Sequence, residues 1–157
     1  MQNSNKIDYI LQHITSLLTR DSDQILLEQL GIGYSQYKIL RVLREGVSVK
    51  QIFIANILGQ TEASISRQLK LLINKQLVIK QIDPNNKRVK LIQITSKGIK
   101  ITEATTKVLN KYHRSVFDGF SQKKQVELLK LLDEFHNKMC LAQHSADVDY
   151  FTYLTES

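Results

Sequence analysis

Apolar side chains recur at helical spacing over residues 5–29, at Ile7, Ile10, Leu11, Ile14, Leu17, Leu18, Ile25 and Leu26. The spacing predicts one long helix, with Asp21-Ser22 as the place where it could bend. Gly31 and Gly33 interrupt it, and Ser35 is read as the N-cap of a second helix over 36–45 that buries Tyr37, Ile39, Leu40 and Leu43 and stops at Gly46. The β-favouring Val47-Ser48-Val49 predicts an edge strand or a turn. KQIFIANIL, residues 50–58, predicts a short helix closed by Gly59, and Thr61 offers its hydroxyl as the N-cap of a helix over 62–75. Two β-branched runs follow, Leu77–Ile82 and Val89–Thr95. Between them Asp83-Pro84-Asn85-Asn86-Lys87-Arg88, with the chain's single proline, reads as a hairpin tip. Thr95 can cap a helix over 96–118, Gly119 breaks it, and Ser121 can cap a last helix over 122–142. The apolar face of that last helix (Val126, Leu128, Leu129, Leu131, Leu132, Phe135, Met139) is too broad for one antiparallel neighbour, so burial against a second subunit is expected.

The order helix, short helix, tight turn, helix, β-hairpin is that of a winged helix-turn-helix. The fold expected is therefore mainly α with a small β-hairpin wing, a reading head over 34–98 in a chain read as one domain, 1–157. Dimerisation helices are expected at about 5–30 and 99–142, and a tail at 143–157 that has no Lys or Arg and three acidic residues. In the helix over 62–75, Ile65, Leu69 and Leu72 share one side, while Ala63, Ser64, Arg67, Lys70 and Asn74 take the other. Small residues at the start of such a helix let its backbone approach a duplex, and an arginine can fork onto guanine. An ordinary amphipathic surface helix would show the same stripe.

Charge fits either a lysine-rich solvated surface or a DNA face, and the local architecture, the hairpin above all, decides between them. The chain carries a net charge of +7, and residues 61–100 hold 9 basic against 2 acidic residues, while the flanks are nearly neutral. A basic segment between neutral flanks is the footprint of a phosphate-backbone binder. Lys87 and Arg88 are read at the hairpin tip, with Lys80 and Lys90 on its strands, and an arginine on a projecting loop can enter a minor groove.

With these pieces in order, YSQYKIL, IANILGQTEASISRQLKLL, QLVIKQIDPNNKR and LIQITSKG over residues 34–98, the sequence resembles the MarR (multiple antibiotic resistance regulator) family. The resemblance implies a triangular homodimer on a palindromic operator of double-stranded DNA, with recognition helices in successive major grooves and wings in the flanking minor grooves. It places Ser64, Ser66 and Arg67 in the recognition-helix motif and Arg88 at the wing arginine. Three positions depart from the family pattern: Asn86 stands where an aspartate braces the arginine, Lys87 replaces an arginine, and Gln76 replaces a glycine before the first wing strand. The DNA-contacting set expected is Thr61, Ser64, Ser66, Arg67, Lys70, Asn86, Lys87 and Arg88. The function expected is a homodimeric repressor released by a small molecule or another signal; an effector-independent regulator or architectural factor is the alternative.

Other chemistry finds little support. There is no phosphate-cradling glycine loop, no cysteine pair and no Ser/His/Asp arrangement, so neither an enzyme nor a cofactor is expected. No run approaches the ~18 apolar residues of a membrane span. The N-terminus lacks a signal-peptide pattern and the single cysteine suits a reducing compartment, which together predict a cytoplasmic protein with no membrane partner. His136, Cys140 and His144 lie four apart, a spacing that could chelate a thiophilic metal or sensitise the thiol; a small buried Cys140 flanked by helix-end histidines is the plainer account. Tyr9, His13, Tyr37, Tyr112 and His113 lie on helices expected to converge between head and arms, where the family resemblance implies small, commonly phenolic, anionic effectors. Core packing explains each of the five singly.

Overall fold

The computed structural model describes residues 3–43 and 45–142, with Arg88 and residues 140–142 described by their backbone only. The long helix α1 runs unbroken over Asn3–Leu30, with no interruption at Asp21-Ser22, where Ser22 is buried. α2 spans Tyr34–Val42, starting earlier than the periodicity suggested and ending sooner. Its N-cap is Gly33, not Ser35, and makes no side-chain cap bond. The cap comes instead from α1: the Tyr34 N–H donates to Asp23 Oδ1 at 2.8 Å. A carboxylate supplied by another helix thus satisfies the first orphan donor of α2.

A two-residue strand β1 (Val49–Lys50) leads into α3 (Gln51–Leu58) and α4 (Glu62–Asn74). The wing is β2 (Val78–Asp83) and β3 (Asn86–Ile94); the antiparallel sheet has the order β1-β3-β2. α5 (Ser96–Phe117) starts at the Thr95 cap as expected, and α6 covers Gln122–Ala142. The core lies in the head, where Ile39, Leu40, Ile54, Ile65, Leu72, Leu77 and Ile92 are all fully buried, and Leu26 of α1 is buried against it.

The dimerisation helices are a different matter. From Gln122 to Met139 every residue of α6 is exposed except the half-buried His136, and Val126 and Leu129 expose 63% and 59% of their surface. Ile7, Tyr9, Ile10 and Ile14 on α1 are exposed too. Among the described residues no helix is long and apolar enough to cross a membrane.

Candidate nucleic-acid interface

α3 and α4 meet through a turn that only a left-handed residue permits. Gly59, at φ 59°, ends α3; its N–H donates to the Asn56 carbonyl at 3.1 Å and the Gln60 N–H to the Ala55 carbonyl at 2.9 Å. This paired closure satisfies the last carbonyls of α3 and turns the chain at once into α4. Thr61 begins α4 as predicted, its Oγ1 accepting from the Ser64 N–H at 3.2 Å. Gln51 on α3 donates through Nε2 to the Glu62 carbonyl at 3.2 Å and so ties the two helix starts together. The predicted inner stripe, Ile65, Leu69 and Leu72, is buried, which turns the opposite side of α4 outward.

The end of α4 repeats the same closure without a glycine. The Gln76 N–H donates to the Ile73 carbonyl at 2.8 Å and the Leu77 N–H to the Leu72 carbonyl at 2.9 Å, with Gln76 at φ 60°. Leu72 and Leu77 are both buried, which supplies the apolar contact that accompanies this motif. Thr95 then locks the wing onto the next helix. Its N–H donates to the Leu77 carbonyl at 3.0 Å, its hydroxyl is directed at the Gln76 carbonyl at 2.8 Å, and its oxygen accepts from the Gly98 N–H at 3.0 Å.

The wing turn is tighter than the sequence suggested. Asp83 Oδ1 accepts from the Asn85 N–H at 2.8 Å, so Pro84 and Asn85 alone reverse the chain and Asp83 pairs with Asn86. Lys87 and Arg88 are therefore on β3 and not in the turn, which corrects the predicted tip. The register passes from Ile82 opposite Lys90 directly to Asp83 opposite Asn86. Lys87, Arg88 and Val89 consequently form a bulge that carries the two basic residues out of the ladder.

Of the eight residues read as DNA contacts, Thr61, Ser66, Arg67, Lys70, Asn86 and Lys87 are exposed and Ser64 is half-buried; Arg88 has only its backbone described. α4 brings Ser66, Arg67 and Lys70 to one groove of about 320 Å³ that β2 completes with Lys80. Asn74 lines it as well. Neither Lys80 nor Asn74 was in the predicted set. The available signal was a lysine at a position where the alternation Val78, Ile82 called for an apolar side chain. Lys87 and the wing bulge do not line this groove.

Two other constellations remain. The helices that carry the aromatic residues converge as expected, α1, α2 and α5 packing on one another, but the aromatic side chains make separate contacts. Tyr9 stacks on His13 along α1, with ring centroids 6.2 Å apart. Tyr37 Oη lies 2.9 Å from Thr106 Oγ1, and the Tyr112 hydroxyl donates to Asp21 Oδ2 at 2.9 Å. A groove of about 780 Å³ does lie along α1 and the start of α2, but Thr15, Thr19, Arg20, Asp23, Tyr34 and Ser35 line it. His144 falls outside the described residues and Cys140 is described by backbone only, so the His136-Cys140-His144 spacing has no geometry here. No group of three or more metal-ligating side chains occurs among the described residues.

A buried-stripe helix set by a glycine turn against a short helix, with a basic bulged hairpin behind it, defines the winged helix-turn-helix class of regulators. Residues 32–90 match the sequence profile of the MarR family. The uncharacterized HTH-type transcriptional regulator YxaD of Bacillus subtilis (strain 168) is 28% identical over 139 residues, covering 85% of this chain and 97% of that protein. Among solved structures, the S. aureus MepR–DNA complex aligns at TM-score 0.71 and 26% identity, over 85% of this chain and 97% of that one. A MarR-family regulator from Rhodococcus sp. RHA1 aligns at TM-score 0.73 and 20% identity, over 86% and 96%. Over residues 32–90 the chain resembles the MarR family, and the curated proteins it is similar to are transcriptional regulators.

Proposed function

We propose that the protein acts as a homodimer on a palindromic operator, represses by occupying promoter DNA, and is released by a signal. α4 enters the major groove with Ser64, Ser66, Arg67 and Lys70, and the wing brings Asn86, Lys87 and Arg88 to the minor groove. Thr61 contributes as the cap that aims the helix. The observation that carries this reading is the placement of the outward face of α4 beside a basic wing strand on one side of the head. The likeness to MepR, which was solved bound to DNA, supports it. Dimerisation is supported by α6, whose apolar face has no cover among the described residues. A large exposed apolar stripe on a soluble protein marks an interaction surface, and a helix of this length gains most of its stability from packing. The function is one of binding, not catalysis, carried out wherever the DNA is.

Release follows if an effector favours an arrangement of heads that mismatches the groove spacing; its differential affinity for the two arrangements sets the effect. The groove between α1 and α2 suits a small molecule with polar and aromatic groups, since Arg20, Asp23, Thr15 and Tyr34 line it.

Selecting bound sequences from random duplexes tests the core of this reading, and a palindrome is expected. Arg67→Ala should cost ~1–3 kcal/mol at one base position. Arg88→Ala should weaken all sequences evenly and flatten the salt dependence. If both variants bind with the parent's affinity and specificity, the contact assignment is wrong.

A further inference from the structure

Arg67 and Lys70 on α4 share a groove of about 320 Å³ with Lys80 on β2, above an apolar floor of Leu69 and Ile73. The strand register explains how a lysine comes to stand there. Lys80 pairs with Ile92 and Val78 with Ile94, and Val78, Ile92 and Ile94 are buried. Opposed residues share a sheet face, as do alternate residues along one strand, so Lys80 lies on the core-facing side. β2 is an edge strand and Lys80 is exposed, so its ammonium emerges beside α4 while its stem stays over the apolar floor. No carboxylate lines the groove, and none of the three cations makes an ion pair among the described residues. Cations gathered over a low-dielectric floor repel one another and focus their field on an anion between them.

We infer that this groove is a phosphodiester site: one backbone strand of a duplex runs through it, with Lys80 as the contact contributed by β2. The inference rests on the DNA-binding reading above and adds a residue to it. A strand lying between α4 and the wing is the one that separates the groove α4 enters from the groove the wing enters. Lys80 holds a phosphate and no base, so it fixes the head's register on the duplex without reading sequence.

The test uses the full-length protein and the duplex it enriches from random sequences. Lys80→Gln should lower the slope of log affinity against log salt by about one for each Lys80 on the duplex. Base preferences should stay as in the parent, and Lys80→Arg should restore the slope. Lys107→Gln, which removes the same charge from α5, should keep the parental slope. Neutral methylphosphonates placed one at a time should reveal a position in each half-site that weakens the parent but not Lys80→Gln. If Lys80→Gln keeps both the parental slope and the parental methylphosphonate profile, the groove is not a phosphate site. In that case the inward lysine serves only to deter edge pairing of β2. If the parent itself binds no duplex in a salt-dependent way, the DNA-binding reading falls and takes this inference with it.

Discussion

Gln76 and Gly98 meet at the junction where the recognition helix hands over to the wing, and they obey opposite demands. Among the described residues Gln76 is the single non-glycine at positive φ, in the position where the family resemblance calls for glycine. A left-handed conformation costs an L-residue ~1–2 kcal/mol, part of which glycine gives back as unfolded-state entropy. Gln76→Gly should therefore raise stability by about 1 kcal/mol, seen as a higher urea midpoint at unchanged slope. A lower midpoint would show that the Gln76 side chain does more than fill a turn. Gly98 is constrained by space. A Cβ there would sit 2.2 Å from the Leu77 carbonyl oxygen, a backbone atom held by Thr95, and 2.7 Å from Ile94 Cγ1. Gly98→Ala should cost about 3 kcal/mol, at the upper end of overpacking effects. A loss below about 0.5 kcal/mol, the size of an ordinary surface change, would mean that helix and wing part easily.

At the scale of elements, what could be read from the chain was whatever depends on local spacing. The helices of the head showed in their apolar periodicity, and Thr61 and Thr95 showed as caps because their partners lie three residues on. The start of α2 did not, because its cap is Asp23, eleven residues away on another helix. Likewise the wing's basic residues looked like a loop because a side-chain-closed turn at Asp83 leaves the strand free to resume at Asn86. Arg67 and Lys70 could be picked from a helical wheel, but Lys80 needed the register with Ile92. The link between α1 and α5 was equally hidden, since Tyr112 and Asp21 are 91 residues apart. The Tyr112 hydroxyl and then Arg20 hold the Asp21 carboxyl below its ordinary 3.8, and the same bond holds the phenol above its ordinary 10.0. A depressed carboxyl stabilises the fold above its unfolded pKa, and that contribution is lost as pH falls through the folded value. A raised phenol stabilises below its unfolded pKa, and that contribution is lost as pH rises through the folded value. Tyr112→Phe should thus lower the Tm at neutral pH, with the gap to the parent closing as pH falls below the ordinary carboxyl range and as it rises above the ordinary phenol range. A gap that ignores pH would place the effect of Tyr112 in packing alone.

At the scale of the whole molecule the exposed stripe of α6 dominates. Leu129→Glu with Leu132→Glu would put two carboxylates into the proposed interface, where their desolvation is unfavourable. The double variant should sediment as a monomer, and it should bind operator about a hundredfold or more weakly because the second head no longer adds to the first. A dimeric variant with parental affinity would move the subunit interface elsewhere. α5 connects that interface to the reading head as one unbroken helix of 22 residues, about 33 Å long. Its first turn is bonded to the wing through Thr95, so the head follows the axis of α5 as the end of a lever follows its arm. A tilt of about 6° at the far end carries the head through about 3.4 Å, one base-pair step along the duplex. In the proposed dimer, a displacement of that small size among the arms would put both heads out of step with their grooves.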